Sequence, residues 1–365
     1  MTSGCDLIVV GGGIIGCACA DAASAEGMRV LVLEPEVVGG GTTAASMGHL
    51  VAVDGEPAEL ALAAYSQQCW EPLHELPDIE YSRCGTLWIA SDDTDLARVP
   101  GMQARLAAVG VQAQPVDATA LYALEPSLTP GLAGGLLVPG EGVLYPPTAA
   151  RRLLERACQR GATLRRARVG SIDDGSVVLA DGERIAGQIV VATGGDLPHL
   201  LPALPIRLRR GHLVITERYP RHIHHQLVQL HYADSAHGEA DSVAFNVQPR
   251  PTGQILIGSS REYGADTTAI SLPMLRRMLH RAFEFLPGLR ALNALRVWAG
   301  LRPATTDGLP YIGRMPGRRD VWVGAGHEGL GVTTAPGTAR LIVDLMLGRK
   351  PAIDPRPYDP ARVSP

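Results

Sequence analysis

The stretch DLIVVGGGIIGCACADAASAEGMRVLVLE, Asp6 to Glu34, decides the fold. A continuous apolar run over 6–10 leads into a glycine-rich turn, a helix of small residues predicted over 17–26, and a second apolar run over 29–33. Strand, turn, helix and strand make a βαβ unit, and continuous apolar strands are typical of a parallel sheet that is buried on both faces. The sequence therefore predicts an α/β fold.

The turn Gly11-x-Gly13-x-x-Gly16 adds a binding prediction. Gly11 permits a tight turn, Gly13 lets backbone amides approach a pyrophosphate, and Gly16 allows the helix to pack closely on the sheet. Glu34 ends the second strand, near the spacing at which an acid contacts a ribose hydroxyl. A lone glycine motif is a weak indication, but here strand, helix and acid agree, so we expect a dinucleotide site.

Two further glycine turns follow apolar strands. The run 185–195 ends in Ala192-Thr193-Gly194-Gly195, and the strand predicted over 320–323 leads into 324–331 and a helix predicted over 336–347. An NAD domain needs only the first turn, whereas an extended FAD touches all three. The alternative is that these glycine turns only end strands. That alternative explains a single turn easily, but it explains the presence of all three less well.

Composition narrows the class of protein. The 365 residues are 46% hydrophobic and 19% charged, with a formal net charge of −4, which is ordinary for a globular protein and leaves no basic stripe for nucleic acid. No apolar run reaches the ~18 residues that cross a bilayer, and the start MTSGCDLIVVGGG shows neither a basic n-region nor a cleavage site. We expect a cytoplasmic protein, with peripheral attachment to the inner membrane left open.

The six cysteines show no metal-ligand spacing, so no metal is expected.

The basic residues are unevenly distributed. Arg207, Arg209 and Arg210 form the densest basic run, which we interpret as a solvated strand end. The only lysine is Lys350, close to the C-terminus, so chemistry that needs a lysine base or Schiff base is not expected.

A second, mainly antiparallel domain is expected to be inserted into the nucleotide domain. Strands are predicted over 84–91, 212–217, 243–248 and 254–259, and an amphipathic helix over 148–160. The nucleotide domain is expected to comprise 1–82, 145–206 and 296–365, and the substrate domain 83–144 and 207–295.

The strand predicted at 242–248 alternates in polarity. Ser242, Ala244, Asn246 and Gln248 share one face, and Val243, Phe245 and Val247 share the other. The polar face is either solvated or the roof of a ligand cavity, and the sequence favours neither.

A single arginine stands out in VWAGLRPATTDGLPYIG, Val297 to Gly313. Arg302 directly follows a compact apolar run and precedes turns predicted at Pro303 and at Asp307-Gly308. A guanidinium stays charged at any working pH, so beside apolar surface it needs an anion. The sequence leaves two choices, a ligand carboxylate or an ion pair with Asp307 or a nearby glutamate.

Together these motifs resemble the D-amino acid oxidase family of FAD-dependent oxidoreductases over nearly the whole chain. Within the family, the sequence is most similar to glycine oxidase and to the flavoprotein subunits of proline and D-hydroxyproline dehydrogenases, and the tail 326–336 is most similar to the D-hydroxyproline type. The resemblance rests on the order and spacing of Gly11-x-Gly13-x-x-Gly16 with Glu34, GGTTAASMG at 40–48, Ala192-Thr193-Gly194, Gly300-Leu301-Arg302-Pro303 with Asp307-Gly308-Leu309-Pro310, and Gly326-His327 with Gly329-Leu330-Gly331.

The resemblance implies a Rossmann-like FAD-binding domain of the glutathione-reductase type, with extended FAD under a β-sheet roof. Sarcosine oxidase-like relatives tether the flavin to a cysteine late in the chain, but no cysteine follows Cys158, so non-covalent FAD is expected. The implied cofactor-binding residues are Gly11, Gly13, Ile14, Ile15, Gly16, Glu34, Pro35, Thr42, Thr43, Ala44, Ser46, Met47, Gly48, Val169, Thr193, Gly194, Arg302, His327, Gly329, Leu330, Gly331, Val332 and Thr333.

The resemblance also implies a substrate site. In glycine oxidase-like members the arginine of the Gly-Leu-Arg-Pro motif binds the substrate carboxylate, and that position here is Arg302. His49 is a candidate proton or substrate contact beside the flavin, with an ordinary loop histidine as the alternative. Glu328 is a candidate contact for a substrate ammonium or hydroxyl, and Asn246 and Gln248 are candidates for a ring hydroxyl.

The activity implied is FAD-dependent oxidation of the C–N bond of a small or cyclic amino acid, with cis-4-hydroxy-D-proline as the preferred substrate. The alternatives are a glycine or D-amino acid oxidase that produces hydrogen peroxide, and a flavoprotein electron-transfer subunit of a heteromeric complex. Sarcosine oxidase-like relatives use a lysine beside the flavin to activate oxygen, and Lys350 lies too near the end for that role. We therefore favour a dehydrogenase that passes electrons to a quinone, a dye or a partner subunit. Homo-oligomerisation is left open.

Overall fold

The computed structural model of the chain describes residues 5–52, 55–230 and 240–363. In chain order the strands are β1 (Leu7–Val10), β2 (Val30–Leu33), β3 (His49–Leu50), β4 (Thr86–Ala90), β5 (Gln114–Asp117), β6 (Gly134–Val138), β7 (Gly142–Val143), β8 (Thr163–Arg165), β9 (Val169–Asp173), β10 (Ser176–Leu179), β11 (Arg184–Ala186), β12 (Gln188–Val191), β13 (Arg207–Arg218), β14 (Gln226–Gln229), β15 (Ser242–Pro249), β16 (Gln254–Tyr263), β17 (Ala294–Ala304), β18 (Tyr311–Arg314) and β19 (Val321–Ala325). The α-helices are α1 (Ile14–Ala25), α2 (Gly41–Ala45), α3 (Pro57–Trp70), α4 (Asp93–Leu96), α5 (Val99–Ala108), α6 (Ala118–Leu124), α7 (Pro146–Gln159), α8 (Leu197–Leu200), α9 (Leu272–Phe285) and α10 (Gly331–Met346).

A six-stranded sheet in the order β18-β19-β12-β1-β2-β8 forms one layer. All neighbours run parallel except β18 and β19. Leu7 and Val9 of β1 face helices α1, α7 and α10, whereas Ile8 and Val10 face the small sheet β9-β10-β11. Burial on both faces explains the continuous apolar run, and the predicted βαβ unit is confirmed.

Helix α1 begins at Ile14, three residues before the predicted start at Cys17. Gly13 is already the helix N-cap in an extended conformation, with φ −71° and ψ 178°. The glycine turn therefore passes directly into the helix, and the first helical amides lie next to the turn.

The second large sheet has eight strands in the order β17-β13-β16-β15-β14-β4-β6-β5. Its neighbours are antiparallel except for β14 and β4. Helix α9 packs on one face, where Phe245 and Val247 of β15 meet Met278 and Phe285. The two sheets together confirm the α/β fold with a mainly antiparallel second layer.

The polar face of β15 is not solvated. Asn246 is 1% exposed and Gln248 is fully buried, so of the two alternatives the solvated polar face is excluded for these residues. A sheet that is covered on both faces leaves no side of the strand in water.

Strand β17 runs through Pro303, where the sequence predicts a turn. Proline lacks an N–H, but β17 is the edge strand of its sheet, where that loss is tolerated. The predicted turn at Asp307-Gly308 is present, with Gly308 at φ +81°.

The domain boundary expected between 295 and 296 lies inside strand β17. The division into two domains stays a prediction.

Helix α10 begins at Gly331, so Pro336 lies inside it and not at its start as predicted. Proline has no N–H to give to the carbonyl four residues earlier, that of Val332. The indole Nε1 of Trp70 in α3 donates to Val332 O at 3.1 Å and to Thr333 O at 3.0 Å. The indole of Trp70 thus supplies the donor that the backbone lacks.

Within the described residues, no helix has the length and hydropathy needed to span a membrane.

Candidate active site

A cavity of about 700 Å³ is lined by residues from both large sheets. It extends from Glu34 and Pro35, after β2, past the glycine turn that follows β1, to Arg302 on β17 and Glu328 in the loop after β19. The three glycine turns predicted from the sequence all contribute to its wall, through Gly11, Thr193, Gly329 and their neighbours.

The first glycine turn is closely packed. Gly11 has φ +109°, and a β-carbon on it would lie 2.6 Å from Ala192 O, so a side chain there would close the turn. A β-carbon on Gly16 would overlap the carbonyl oxygen of Gly11, as expected for a glycine that lets α1 pack against β1. Glycine at these positions keeps backbone against the cavity.

Glu34 is held in place at one end of the cavity. Its Oε2 accepts a hydrogen bond from Gly12 N at 2.7 Å, and its Oε1 accepts one from Glu36 N at 2.8 Å. Each carboxylate oxygen has a further lone pair, so the group can also accept from ligand hydroxyls.

Two helix N-termini point their partial positive charge at the cavity. Gly13 and Ile14 at the start of α1 line it, as do Gly331 and Val332 at the start of α10. Neither helix has a side-chain cap from its own N-cap residue or an acidic residue in its first turn. Helix starts of this kind favour anions, so each can hold a negatively charged part of a ligand.

Helix α2 connects the glycine turn to β17. The hydroxyl of Thr43 accepts a hydrogen bond from Ile14 N at 3.1 Å, and the hydroxyl of Thr42 donates to Leu301 O at 2.8 Å. Ser46 and Met47 follow the helix and also line the cavity. The segment therefore forms wall along the middle of the cavity.

Arg302 lines the far end of the cavity. Its Nη1 donates to Ser260 O at 2.8 Å, and its guanidinium lies against Gly211, where a β-carbon would overlap it. Asp307 pairs with Arg362 at 2.7 Å. The glutamate near Arg302 is Glu328, whose pKa the charge of Arg302 helps to lower.

Glu328 lines the same end and is surrounded by guanidinium groups. Its Oε1 lies 3.3 Å from Arg261 Nε and 3.9 Å from Arg209 Nη1, and its Oε2 accepts from Gly329 N at 2.6 Å. Burial alone would raise the pKa of Glu328, but Arg261, Arg302 and Arg209 together lower it. Glu328 is therefore ionised at neutral pH.

Both candidate histidines of the wall are buried and neutral. Burial, with a smaller effect of Arg302, lowers the pKa of His49 to about 4. Its Nε2 lies 3.2 Å from Gly329 O, and because a carbonyl only accepts, Nε2 carries the proton. Burial lowers the pKa of His327 to about 3, and its Nε2 lies 2.9 Å from Thr338 Oγ1. Neither histidine is a strong base.

The structure brings most of the predicted site residues into one wall. Asn246 and Gln248 are not part of it, and Gln248 Nε2 instead donates to Met47 O at 2.5 Å. Thr333 Oγ1 donates to His49 O at 2.9 Å, so it supports the wall from behind. The predicted residues that line the cavity are Gly11, Gly13, Ile14, Ile15, Glu34, Pro35, Thr42, Thr43, Ser46, Met47, His49, Val169, Thr193, Gly194, Arg302, His327, Glu328, Gly329, Gly331 and Val332. Those outside the wall are Gly16, Ala44, Gly48, Asn246, Gln248, Leu330 and Thr333.

Two of the arginines around Glu328, Arg209 and Arg261, were not predicted as site residues. The side chains of Arg209 and Arg210 are only 16% and 15% exposed, so the interpretation as a solvated strand end is wrong for both. Arg210 pairs with Glu262 at 2.9 Å. The partner carboxylates lie on β16 and in the loop after β19, so no local sequence pattern could reveal them. Gly211 and Leu213 also line the cavity without a sequence signal.

No group of three or more His, Cys, Asp or Glu side chains within residues 5–52, 55–230 and 240–363 is placed to hold a metal ion. Lys350 follows the C-terminal end of α10 and is not part of the cavity wall.

Known proteins that are similar to this chain include a glycine oxidase and a D-amino acid dehydrogenase. Glycine oxidase of Pseudomonas putida is 30% identical over 385 aligned residues, which cover 97% of this chain and 98% of that protein. D-amino acid dehydrogenase of Sinorhizobium medicae is 29% identical over 312 residues, covering 81% and 72%. The crystal structure of glycine oxidase from Geobacillus kaustophilus superposes with a TM-score of 0.85 at 25% identity, covering 97% of this chain and 98% of that one.

The cavity fits FAD as cofactor. The uncapped start of α1 suits a pyrophosphate, Glu34 suits a ribose, and the start of α10 suits the negative charge of a reduced flavin. Residues 6–345 match the sequence model of the family described as FAD dependent oxidoreductase, DAO. The chain therefore belongs to the DAO family of FAD-dependent oxidoreductases.

Proposed function

We propose that the protein oxidises the C–N bond of a small or cyclic amino acid to an imine, with cis-4-hydroxy-D-proline as its preferred substrate. Bound FAD supplies the hydride acceptor for the Cα–H bond. The observation that carries the proposal is the position of Arg302, a guanidinium in the cavity wall at the end opposite Glu34.

The surroundings of Arg302 suit a carboxylate clamp. Ser260 O and the backbone at Gly211 hold the guanidinium from one side, so its orientation is set before a ligand binds. A planar guanidinium can hold a carboxylate through two hydrogen bonds, which would fix the Cα–H bond relative to the flavin. Preorganised charge of this kind lowers the entropic cost of binding.

The rest of this end of the cavity supports a compact substrate with a polar substituent. Met47 and Leu213 line the cavity and pack together with Leu256, giving an apolar surface for ring methylenes. Glu328 supplies a carboxylate beside Arg302 that can accept a hydroxyl or amine hydrogen of the substrate. His49 and His327 are neutral and weakly basic, so we assign neither of them the removal of a proton from the amine.

A glycine or D-amino acid oxidase is the second candidate. The similarity to glycine oxidase over nearly the full length favours it. The absence of any lysine except Lys350 favours a dehydrogenase, because sarcosine oxidase-like members of the family use a lysine beside the flavin to activate oxygen.

The test is anaerobic mixing of the FAD-loaded protein with D- and L-proline, both 4-hydroxyproline epimers, sarcosine, glycine and D-alanine. Flavin absorbance near ~450 nm reports reduction. We expect fastest bleaching by cis-4-hydroxy-D-proline, with slow reoxidation in air. Rapid reoxidation with peroxide would favour the oxidase. Bleaching by none of these amino acids would contradict the proposal.

Arg302→Leu tests the clamp in the same assay. FAD should remain bound, and the substrate concentration for half-maximal reduction should rise at least ~100-fold, since a buried charge-assisted pair is lost. Arg302→Lys keeps the charge but not the planar fork, so it should recover only part of the loss. Unchanged concentration dependence in Arg302→Leu would show that the clamp is elsewhere.

A further inference from the structure

We infer that Glu328 is a specificity-determining residue that screens Arg261 and Arg209 from the cavity and thereby restricts the site to substrates with one carboxylate. This inference rests on the proposed amino-acid substrate and concerns the same end of the cavity.

The geometry places Glu328 between the cavity and two guanidinium groups. Glu328 and Arg302 are wall residues, whereas Arg261 and Arg209 are not among the described residues of the wall. Both contact Glu328 Oε1, at 3.3 Å and 3.9 Å. The Arg261 side chain is 3% exposed, whereas that of Arg209, at 16%, is about as exposed as that of Glu328, at 15%. A ligand at Arg302 therefore meets the carboxylate of Glu328 before it meets either of the other arginines.

The charges make this arrangement selective. Arg302, Arg261 and Arg209 all act on Glu328, so without its carboxylate this end of the cavity would attract more than one anionic group. Glu59 on α3 is a further acid near Arg261, but burial and the charge of Glu328 raise the pKa of Glu59 to about 7, so its charge is partial at neutral pH. Glu328 is ionised and lies beside Arg302 in the wall, so it repels a second substrate carboxylate.

The backbone at Glu328 supports a role for its side chain. Its φ is +47°, in the left-handed region that non-glycine residues adopt at a cost. The flanking positions Gly326, Gly329 and Gly331 are glycines, and a glycine at 328 would relieve that strain. A glutamate there is held by the contacts of its carboxylate.

The test compares two rigid ring acids, pyrrole-2-carboxylate and pyrrole-2,5-dicarboxylate, on FAD-loaded protein. Neither has an sp³ Cα–H bond to oxidise, so perturbation of the flavin spectrum reports a Kd without turnover. Wild type should bind the monoacid at least ~10-fold more tightly than the diacid. Equal or tighter binding of the diacid by wild type would by itself overturn the inference.

Variants separate charge from shape. Glu328→Gln should shift the ratio of the two Kd values toward the diacid at least ~10-fold, whereas Glu328→Asp, which keeps the charge, should stay within ~3-fold of wild type. Adding Arg261→Met to Glu328→Gln should move the ratio back toward wild type. An unchanged ratio in Glu328→Gln, or the same shift in Glu328→Gln and Glu328→Asp, would show that the carboxylate charge does not select.

The failure of this inference differs from the failure of the proposed function. If amino acids bleach the flavin but the diacid binds as well as the monoacid, the screen is wrong and the function stands. If no amino acid bleaches the flavin, the function fails whatever the two ring acids show.

Discussion

Gly211 decides where the guanidinium of Arg302 lies. On β13 it stands opposite Gly300 of β17, two residues before Arg302. The missing side chain leaves room for the guanidinium to lie on the sheet, while Gly300 leaves room for Ala45 of α2. A pair of facing glycines thus brings three elements together at the clamp.

Gly211→Ala should therefore damage substrate binding selectively. The new methyl group would overlap the guanidinium, which is the flexible end of a side chain, so Arg302 moves and the fold is kept. Loss of a charge-assisted pair worth about 1.5–3 kcal/mol predicts a KM increase of roughly 10- to 100-fold with a smaller change in kcat. Steady-state kinetics with a dye acceptor measure both.

Gly288→Ala is the matched control, because its new β-carbon would lie 3.6 Å from the His222 ring, in ordinary contact and away from the cavity. Equal KM values for wild type and Gly211→Ala would mean that the position of the Arg302 guanidinium does not depend on the missing side chain at Gly211.

At this scale the sequence identifies Arg302 and Glu328 as candidate site residues, but not Arg209 and Arg261. A lone arginine after an apolar run in a recognisable motif is a local signal. Glu328, Arg209 and Arg261 come together from strands and a loop that are far apart in the chain, so their contacts exist only in the folded protein.

Helix α10 contains a proline, and the backbone hydrogen bond that this proline cannot donate is replaced by one from another helix. Pro336 leaves Val332 O without its helical donor, and Trp70 from α3 supplies one. The same helix start lines the cavity, so α3 supports part of the site without touching the cavity.

Trp70→Phe should lower the free energy of unfolding by about 1–3 kcal/mol, because Val332 O stays buried without a donor, with a further loss from the smaller ring. Adding Pro336→Ala provides a backbone N–H for that carbonyl and should recover the hydrogen-bond part. Urea unfolding of the four FAD-loaded proteins in this double-mutant cycle gives the coupling. Strictly additive effects would show that the indole does not replace the backbone donor.

Elements whose sequence signals lie close together in the chain could be predicted, and elements that depend on distant residues could not. The βαβ unit is predictable because its apolar runs and glycine turn lie within thirty residues of each other. The start of α10 and the passage of β17 through Pro303 are not, since one depends on Trp70 and the other on an edge position in a sheet.

At the scale of the whole molecule, stability should depend on pH through Glu141. This residue is 1% exposed, its Oε1 accepts from Ala52 N at 2.6 Å, and burial raises its pKa from 4.5 to about 8. The folded protein therefore holds a proton on Glu141 between these two pH values that the unfolded chain has lost. Its contribution to stability falls as pH rises from about 4.5 and levels off above about 8.

Glu141→Gln keeps the acceptor for Ala52 N and removes the titration. Relative to this variant, wild type should lose up to about 1.4 kcal/mol per pH unit between pH ~6 and ~8. Urea unfolding of both proteins at several pH values measures the difference, in which the other titrating groups cancel. Parallel curves would mean that Glu141 is ionised in the folded protein throughout.

The continuous cavity has a consequence for how such a protein can change over time. The groups that suit a nucleotide lie at one end, around Glu34 and the start of α1, and those that suit a substrate lie at the other, around Arg302 and Glu328. Because distant sites contribute nearly independently, substitutions at the second end can alter substrate choice while cofactor affinity is preserved. New amine specificities can therefore be acquired in small steps, each of which leaves a working redox catalyst.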